Sequence, residues 1–202
     1  QIKEGVGKKK ALNKKQLKAI ANYSDGNKFT EFYRDLWLFI YFCNGINVAD
    51  LINLKFSDIQ NGEISFIREK TKDRTRDAKR IYAPITPEMQ SIIEKWGNNP
   101  RKSIYIFPFM KAGDDAWEHE KKKKNLTKHI NDRMKVIGEK LNIGKITTYV
   151  ARHTYATVLR NEGVPVSIIS PMLGHTSVTT TEIYLADLES ENRARNAHLL
   201  SF

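Results

Sequence analysis

The stretch that decides the reading runs Thr148-Tyr149-Val150-Ala151-Arg152-His153-Thr154-Tyr155-Ala156-Thr157, then Met172-Leu173-Gly174-His175, then Tyr184, nine residues on. The first segment continues to Glu162 without a breaker and stops at Gly163, so it predicts a helix. Pro165 opens a shorter helix that ends at Leu173-Gly174, with the glycine where a helix usually stops. The chain after it, through Tyr184, reads as mostly helical. An arginine, a histidine and a tyrosine thus fall near helix ends and helix faces within one short region.

Working back from there, Leu126, Ile130, Met134, Ile137 and Leu141 mark one apolar face of a long helix. The charged stretch Lys111 to Asn125 reads as a loop, and its run Lys121-Lys122-Lys123-Lys124 as a solvated face, with phosphate contact the alternative. Thr86-Pro87 starts a helix carrying Met89, Ile92, Ile93 and Trp96. Phe29 to Cys43 is a helix by the spacing of Phe32, Leu36, Phe39 and Ile40, broken by Asn44-Gly45. A first helix is expected at Asn13–Asn22, and a short one over Ala49–Leu54. Between them and the later helices the period changes to two. Gly62 to Arg68 and Arg80 to Pro84 alternate as strands of a β-hairpin with a charged turn from Lys72 to Lys79. Ser103 to Phe107 is expected as a third short strand. The fold class is therefore mainly α with a small antiparallel β-sheet.

Composition bounds the function. The 202 residues include 34 lysines and arginines against 23 acids, a net charge of +11, with 40% hydrophobic residues. Such a chain can bury a core, and its basic balance points to a polyanionic partner, nucleic acid first. No apolar run reaches the roughly 20 residues of a membrane span. The single cysteine, Cys43, rules out a disulfide framework and fits a reducing cytoplasm. The five histidines show no His-x-x-x-His pair, and no Gly-x-x-x-x-Gly-Lys-Ser/Thr loop is present, so no metal or cofactor is expected. Residues 1–18 hold seven lysines and one acid; residues 1–12 read as the end of a linker, residues 13–202 as the domain proper, and 185–202 as its tail. The start on Gln1 reads as a fragment from which an N-terminal part is missing.

A basic helical protein without metal ligands can act on a phosphodiester by nucleophilic attack from a side-chain oxygen. That chemistry needs a hydroxyl, cations around the non-bridging oxygens and a proton donor for the leaving oxygen. Arg-His-Thr-Tyr-Ala-Thr from Arg152, Leu-Gly-His ending at His175, and a threonine-rich run ending at Tyr184 supply these types in order. In these motifs the sequence resembles the tyrosine recombinase (phage integrase) family. The resemblance extends to Asn44-Gly45-Ile46-Asn47-Val48-Ala49-Asp50-Leu51 with Leu54-Lys55 and Asp58-Ile59, and to the hairpin Phe66-Ile67-Arg68-Glu69-Lys70-Thr71.

The resemblance implies a catalytic domain that cuts and rejoins DNA at specific sites. Tyr184 would be the nucleophile, forming a 3′-phosphotyrosine. Arg152 and His175 would hold the non-bridging oxygens, and Lys70 would protonate the leaving 5′ oxygen. It also implies double-stranded DNA as partner, a homo-tetramer on paired sites that exchanges a C-terminal segment, and possible use of a host DNA-bending protein, at the nucleoid in the cytoplasm.

Two positions depart from the family pattern. Asn47 stands where the first arginine is expected, and Tyr149 where a histidine is expected. Integrases of mobile conjugative elements from Bacteroidetes-type bacteria resemble the chain in both respects. Arg68 is the first choice to supply the missing charge, two residues from Lys70 and so expected on the same strand face; Arg74, Arg76 and Arg80 compete. From residue 68 to residue 80 there are seven basic residues and three acids, so Lys72, Arg74, Arg76 and Arg80 are candidate DNA contacts. Lys72 also competes with Lys70 as the acid. Tyr149 either donates to the phosphate or packs, and His153 reads as structural. The rival reading is a DNA-binding module of the same fold that does not cut, because Asn47 carries no charge. A relaxing topoisomerase of the same chemistry is a second.

Overall fold

A computed structural model describes residues 11–72, 79–175 and 177–186. Helix α1 (Lys14–Ala21) begins with Asn13 and Gln16 capping each other's backbone. Helix α2 (Lys28–Phe42), capped by Asn27 on the Phe29 N–H, is buried on most sides, and Leu36, Trp37, Phe39 and Ile40 are fully enclosed. It is the centre of the molecule, and helices α5 (Pro87–Trp96), α6 (Ala116–Lys140) and α7 (Thr148–Asn161) pack around it. The Trp37 indole N–H donates to the Thr147 carbonyl (2.8 Å), fixing the start of α7 against the centre. Burial of this many large apolar side chains is the main stabilising contribution.

Helix α3 (Val48–Leu51) is a single turn, shorter than the expected Ala49–Leu54. A 3-10 turn at Phe56–Asp58 leads into strand β1 (Ile59–Gln60), which pairs with β2 (Glu63–Ile67), which pairs with β3 (Arg80–Pro84), all antiparallel. Asn61 and Gly62 both have positive φ, 53° and 77°, the geometry of a tight hairpin turn. The third strand is thus β1. The Ser103–Phe107 segment forms only one bridge, Lys55 to Tyr105, because Pro100 and Pro108 confine it and Asn98 and Ser103 side chains take up the Tyr105 carbonyl.

Two further expectations are corrected. The 111–125 stretch is not a loop throughout: α6 starts at Ala116, with Asp115 accepting from the Glu118 N–H. Its first turns have no apolar stripe, but Lys122 bridges Asp114 and Glu118, Lys123 and Lys124 pair with Glu120, and Lys121 covers the Trp117 ring. Pairs three or four apart support a helix that hydrophobic periodicity misses. Second, β2 ends at Ile67, and Lys70 lies on a one-turn helix, α4 (Glu69–Lys72). Arg68 and Lys70 therefore do not share a strand face. Lys72 closes α4, while Arg74, Arg76 and the 187–202 part of the tail lie outside the described residues.

Helix α8 (Val166–Met172) and helix α9 (Val178–Ala186) are the last elements among the described residues. Tyr155, Ala156, Ile169, Leu173 and Leu185 join α7, α8 and α9 in a small second core. Arg160 donates to the Leu185 carbonyl (2.7 Å), a cation at the end of α9. Among the described residues no helix is long and apolar enough to cross a membrane.

Candidate active site

The site is built where four distant segments meet at the end of α8. Arg152 is buried on α7, held there because Thr147 caps the helix and Trp37 anchors that cap. Its Nη1 donates to the Gly45 carbonyl (2.8 Å) and its Nη2 to the Leu173 carbonyl (2.5 Å). Nη2 also lies 3.1 Å from His175 Nε2. Gly45 has φ 62°, and a Cβ there would stand 2.8 Å from Arg152 Cα and Cγ, so only glycine admits the arginine this close.

Arg68 reaches the same turn from the hairpin. Its Nη1 donates to the Gly174 carbonyl (2.9 Å), and its stem runs against Gly174, where a Cβ would come within 2.5 Å of Arg68 Cδ. Gly174 has φ 66°. Leu173 and Gly174 thus present successive carbonyls to two guanidinium groups, at the negative end of α8. His175 follows at once. Its Nδ1 lies 2.7 Å from Thr181 Oγ1 on α9. Burial, with the charges of Arg152 and Arg68, pushes its pKa down to about 4, so the ring is neutral at pH 7.

Beside this turn a cavity of about 410 Å³ is lined by Asn47, Asp50, Arg68, Lys70, Lys123, Thr127 and Thr148, among others. Asp50 is buried and accepts from the Glu69 N–H (2.7 Å), which ties α3 to the start of α4. Burial raises its carboxyl above the ordinary range against the opposing pull of that bond and of Arg68. Asn47 heads α3 at the rim of this cavity, and its side chain bonds to the Asp50 carboxyl.

The structure therefore brings together Arg152, His175, Arg68 and, through the adjoining cavity, Lys70. Tyr184 lies on α9, one turn after Thr181; its side chain and that of Lys72 fall outside the described part. Tyr149 is 39% exposed and stacks on the buried His153 ring (6.2 Å between centroids). Arg80 is held on Ser65 (3.2 Å to both its carbonyl and its hydroxyl) and lines a different cavity with Asp58, Glu69 and His119. Thr127 and Thr148 have no role legible in the sequence, whereas Lys123 reads there only as one of the four lysines 121–124, in a solvated loop or in contact with phosphate. Among the described residues no group of three or more His, Cys, Asp or Glu could hold a metal ion.

Comparison with known proteins identifies the family and the fold. Residues 10–191 match the Phage integrase family. The tyrosine recombinase XerA of Pyrococcus furiosus is 28% identical over 180 residues, 87% of this chain and 56% of that protein. The chain thus spans about half the length of such relatives. Among solved structures, XerH site-specific recombinase bound to palindromic difH substrate superposes with TM-score 0.66 at 17% identity, covering 99% of this chain and 55% of that one. The Tn1549 transposon integrase in complex with circular intermediate DNA superposes with TM-score 0.62 at 16% identity, over 96% of this chain and 68% of that one. By fold and by sequence over nearly its whole length, the chain belongs to the phage integrase family of tyrosine recombinases.

Proposed function

We propose that the chain is the catalytic domain of a site-specific DNA recombinase that integrates or excises a mobile element. The observation that carries this reading is the convergence of Arg68, Arg152 and His175 on the Leu173–Gly174 turn, next to the cavity holding Lys70. Two guanidinium groups stand ready for the non-bridging oxygens of one phosphate, although Asn47 is neutral.

In the reaction the Tyr184 hydroxyl gives its proton to solvent as its oxygen attacks phosphorus, the bond to the 5′ oxygen breaks, and the Lys70 ammonium delivers a proton to that leaving oxygen. The product is a 3′-phosphotyrosine and a free 5′-hydroxyl. A free tyrosine has a pKa near ~10, so the neighbouring cations serve the nucleophile as well as the transition state. Attack by a 5′-hydroxyl on the phosphotyrosine reverses the step with no other energy source. Duplex DNA is the partner, Lys72, Arg74, Arg76 and Arg80 adding phosphate contacts. A homo-tetramer on paired sites follows from the resemblance, as does help from a host bending protein.

One observation favours the second reading, a module that binds without cutting. Arg152 spends donors on the Gly45 and Leu173 carbonyls, and Asn47 adds no charge. Covalent trapping decides between them. The full-length protein and this domain are incubated with nicked suicide duplexes and denatured in detergent. A DNA-linked band that Tyr184→Phe abolishes is the expected result. Full-length protein that binds its cognate site and never forms the adduct establishes the binding module instead.

A further inference from the structure

The contacts of His175 fix where its proton sits. A guanidinium only donates, so Nε2, 3.1 Å from Arg152 Nη2, accepts. The neutral ring therefore carries its proton on Nδ1, which donates to Thr181 Oγ1 at 2.7 Å. Thr181 is fully buried, on the helix that bears Tyr184.

A phosphate oxygen, in contrast, only accepts. For His175 to bond one from the Arg152 side, Nε2 must hold the proton and Nδ1 must accept. A hydroxyl can serve both arrangements, since it donates and accepts and turns freely about its C–O bond. Valine, of nearly the same shape, can serve neither.

We infer that Thr181 is a positioning residue whose hydroxyl reverses its hydrogen bond to His175 when a phosphate enters, coupling the seat of α9 to the proton arrangement of the histidine. The ring releases the Nδ1 proton to solvent and takes one from solvent at Nε2, so no charge changes; the hydroxyl only rotates. This rests on the proposed phosphate-binding role of His175 and names how that residue is set for it. The low pKa of the ring agrees, because two nearby arginines disfavour a doubly protonated intermediate state.

The test is long-range proton–nitrogen NMR on the full chain labelled with ¹⁵N-histidine, at neutral pH, with inorganic phosphate as the probe. The free protein is expected to show His175 protonated at Nδ1, and the phosphate-saturated protein to show it protonated at Nε2. Thr181→Val is expected to bind phosphate about tenfold more weakly, and Thr181→Ser to stay near wild type. Protonation at Nε2 in the free protein, an imidazolium in the bound one, or equal affinity of the valine variant overturns the inference. A His175 ring that ignores phosphate altogether overturns it as well, and separately counts against the phosphate site, which covalent trapping tests on its own.

Discussion

The Gly45 carbonyl accepts from Arg152 at 2.8 Å, and the same glycine leaves no room for a Cβ against the arginine's own backbone. Position 45 therefore sets how deep Arg152 sits. Gly45→Ala adds a methyl where φ is 62° and the nearest atom is backbone, so it must push α7 outward. The expected loss of stability is on the order of 2 kcal/mol, read from urea unfolding. Adduct formation should fall further than this loss explains, since the arginine moves. A fully stable, fully active Ala variant contradicts the geometry.

Arg68 provides the second guanidinium at the turn. Arg68→Ala should lower the rate of covalent adduct formation by about 10²–10³-fold, as losing one fixed donor to a transition-state oxygen does. Arg68→Lys should recover part of the rate, because an ammonium supplies charge without the fork. Unchanged cleavage by Arg68→Ala in single-turnover assays would remove it from the site.

Lys123 enters the same cavity while paired with Glu120. Its exchange of that carboxylate for a DNA phosphate predicts a distinct signature. Lys123→Gln should flatten the plot of log binding constant against log salt by about one unit, with little sequence dependence. An unaltered slope in fluorescence anisotropy titrations would leave Lys123 as a helix-stabilising charge alone.

His175 makes stability pH-dependent. Its pKa lies near 6.5 when unfolded and is pushed down to about 4 when folded, so between those values the unfolded chain binds more protons. The stabilising contribution is present above 6.5 and is lost as pH falls toward about 4. Chemical denaturation across that window should show wild type weakening with acid more steeply than His175→Gln. Parallel curves for the two would mean the ring titrates normally.

Asn44 precedes Gly45 in a left-handed conformation, φ 51°, and its buried side chain spans two elements. It accepts from the Tyr155 hydroxyl (2.8 Å) and donates to the Tyr82 carbonyl (2.9 Å), joining α7 to β3. Asn44→Ala should cost on the order of 2–3 kcal/mol, leaving a buried hydroxyl and a carbonyl without this partner and placing alanine at positive φ. Tyr155→Phe, which deletes only one hydroxyl, should cost about 1 kcal/mol. The double variant should fall short of the sum, since both remove one bond.

Most helices were legible because their apolar spacing or their caps are local properties. Asn13, Thr86-Pro87, Gly163 and Pro165 mark boundaries that lie where the structure has them. The start of α6 was not, since its stability comes from ion pairs between side chains three and four apart, which look like loop composition. Strand β1 was missed although Asn61-Gly62 announces a tight turn, because two residues carry no period. At the site, the resemblance implied roles for Arg152, His175, Lys70 and Tyr184, and of these the structure shows Arg152 and His175 in contact. The docking of Arg68 onto Gly174 required knowing that α8 ends beside the hairpin, a relation between residues 106 apart that no local pattern contains. Lys123 could not be told from its three neighbouring lysines until its helix was placed, for the same reason.

That long reach bears on the chain as it leaves the ribosome. The two arginines are gripped by the Leu173 and Gly174 carbonyls, which are made after both arginines and after every residue that lines the adjoining cavity. A nascent or prematurely released chain ending before residue 173 can fold much of its α2-centred core, yet it has no turn to gather the guanidinium groups and no α9 to carry Tyr184. Contacts so far apart in sequence form late. On the proposed function, products that stop before residue 173 are therefore expected not to nick DNA.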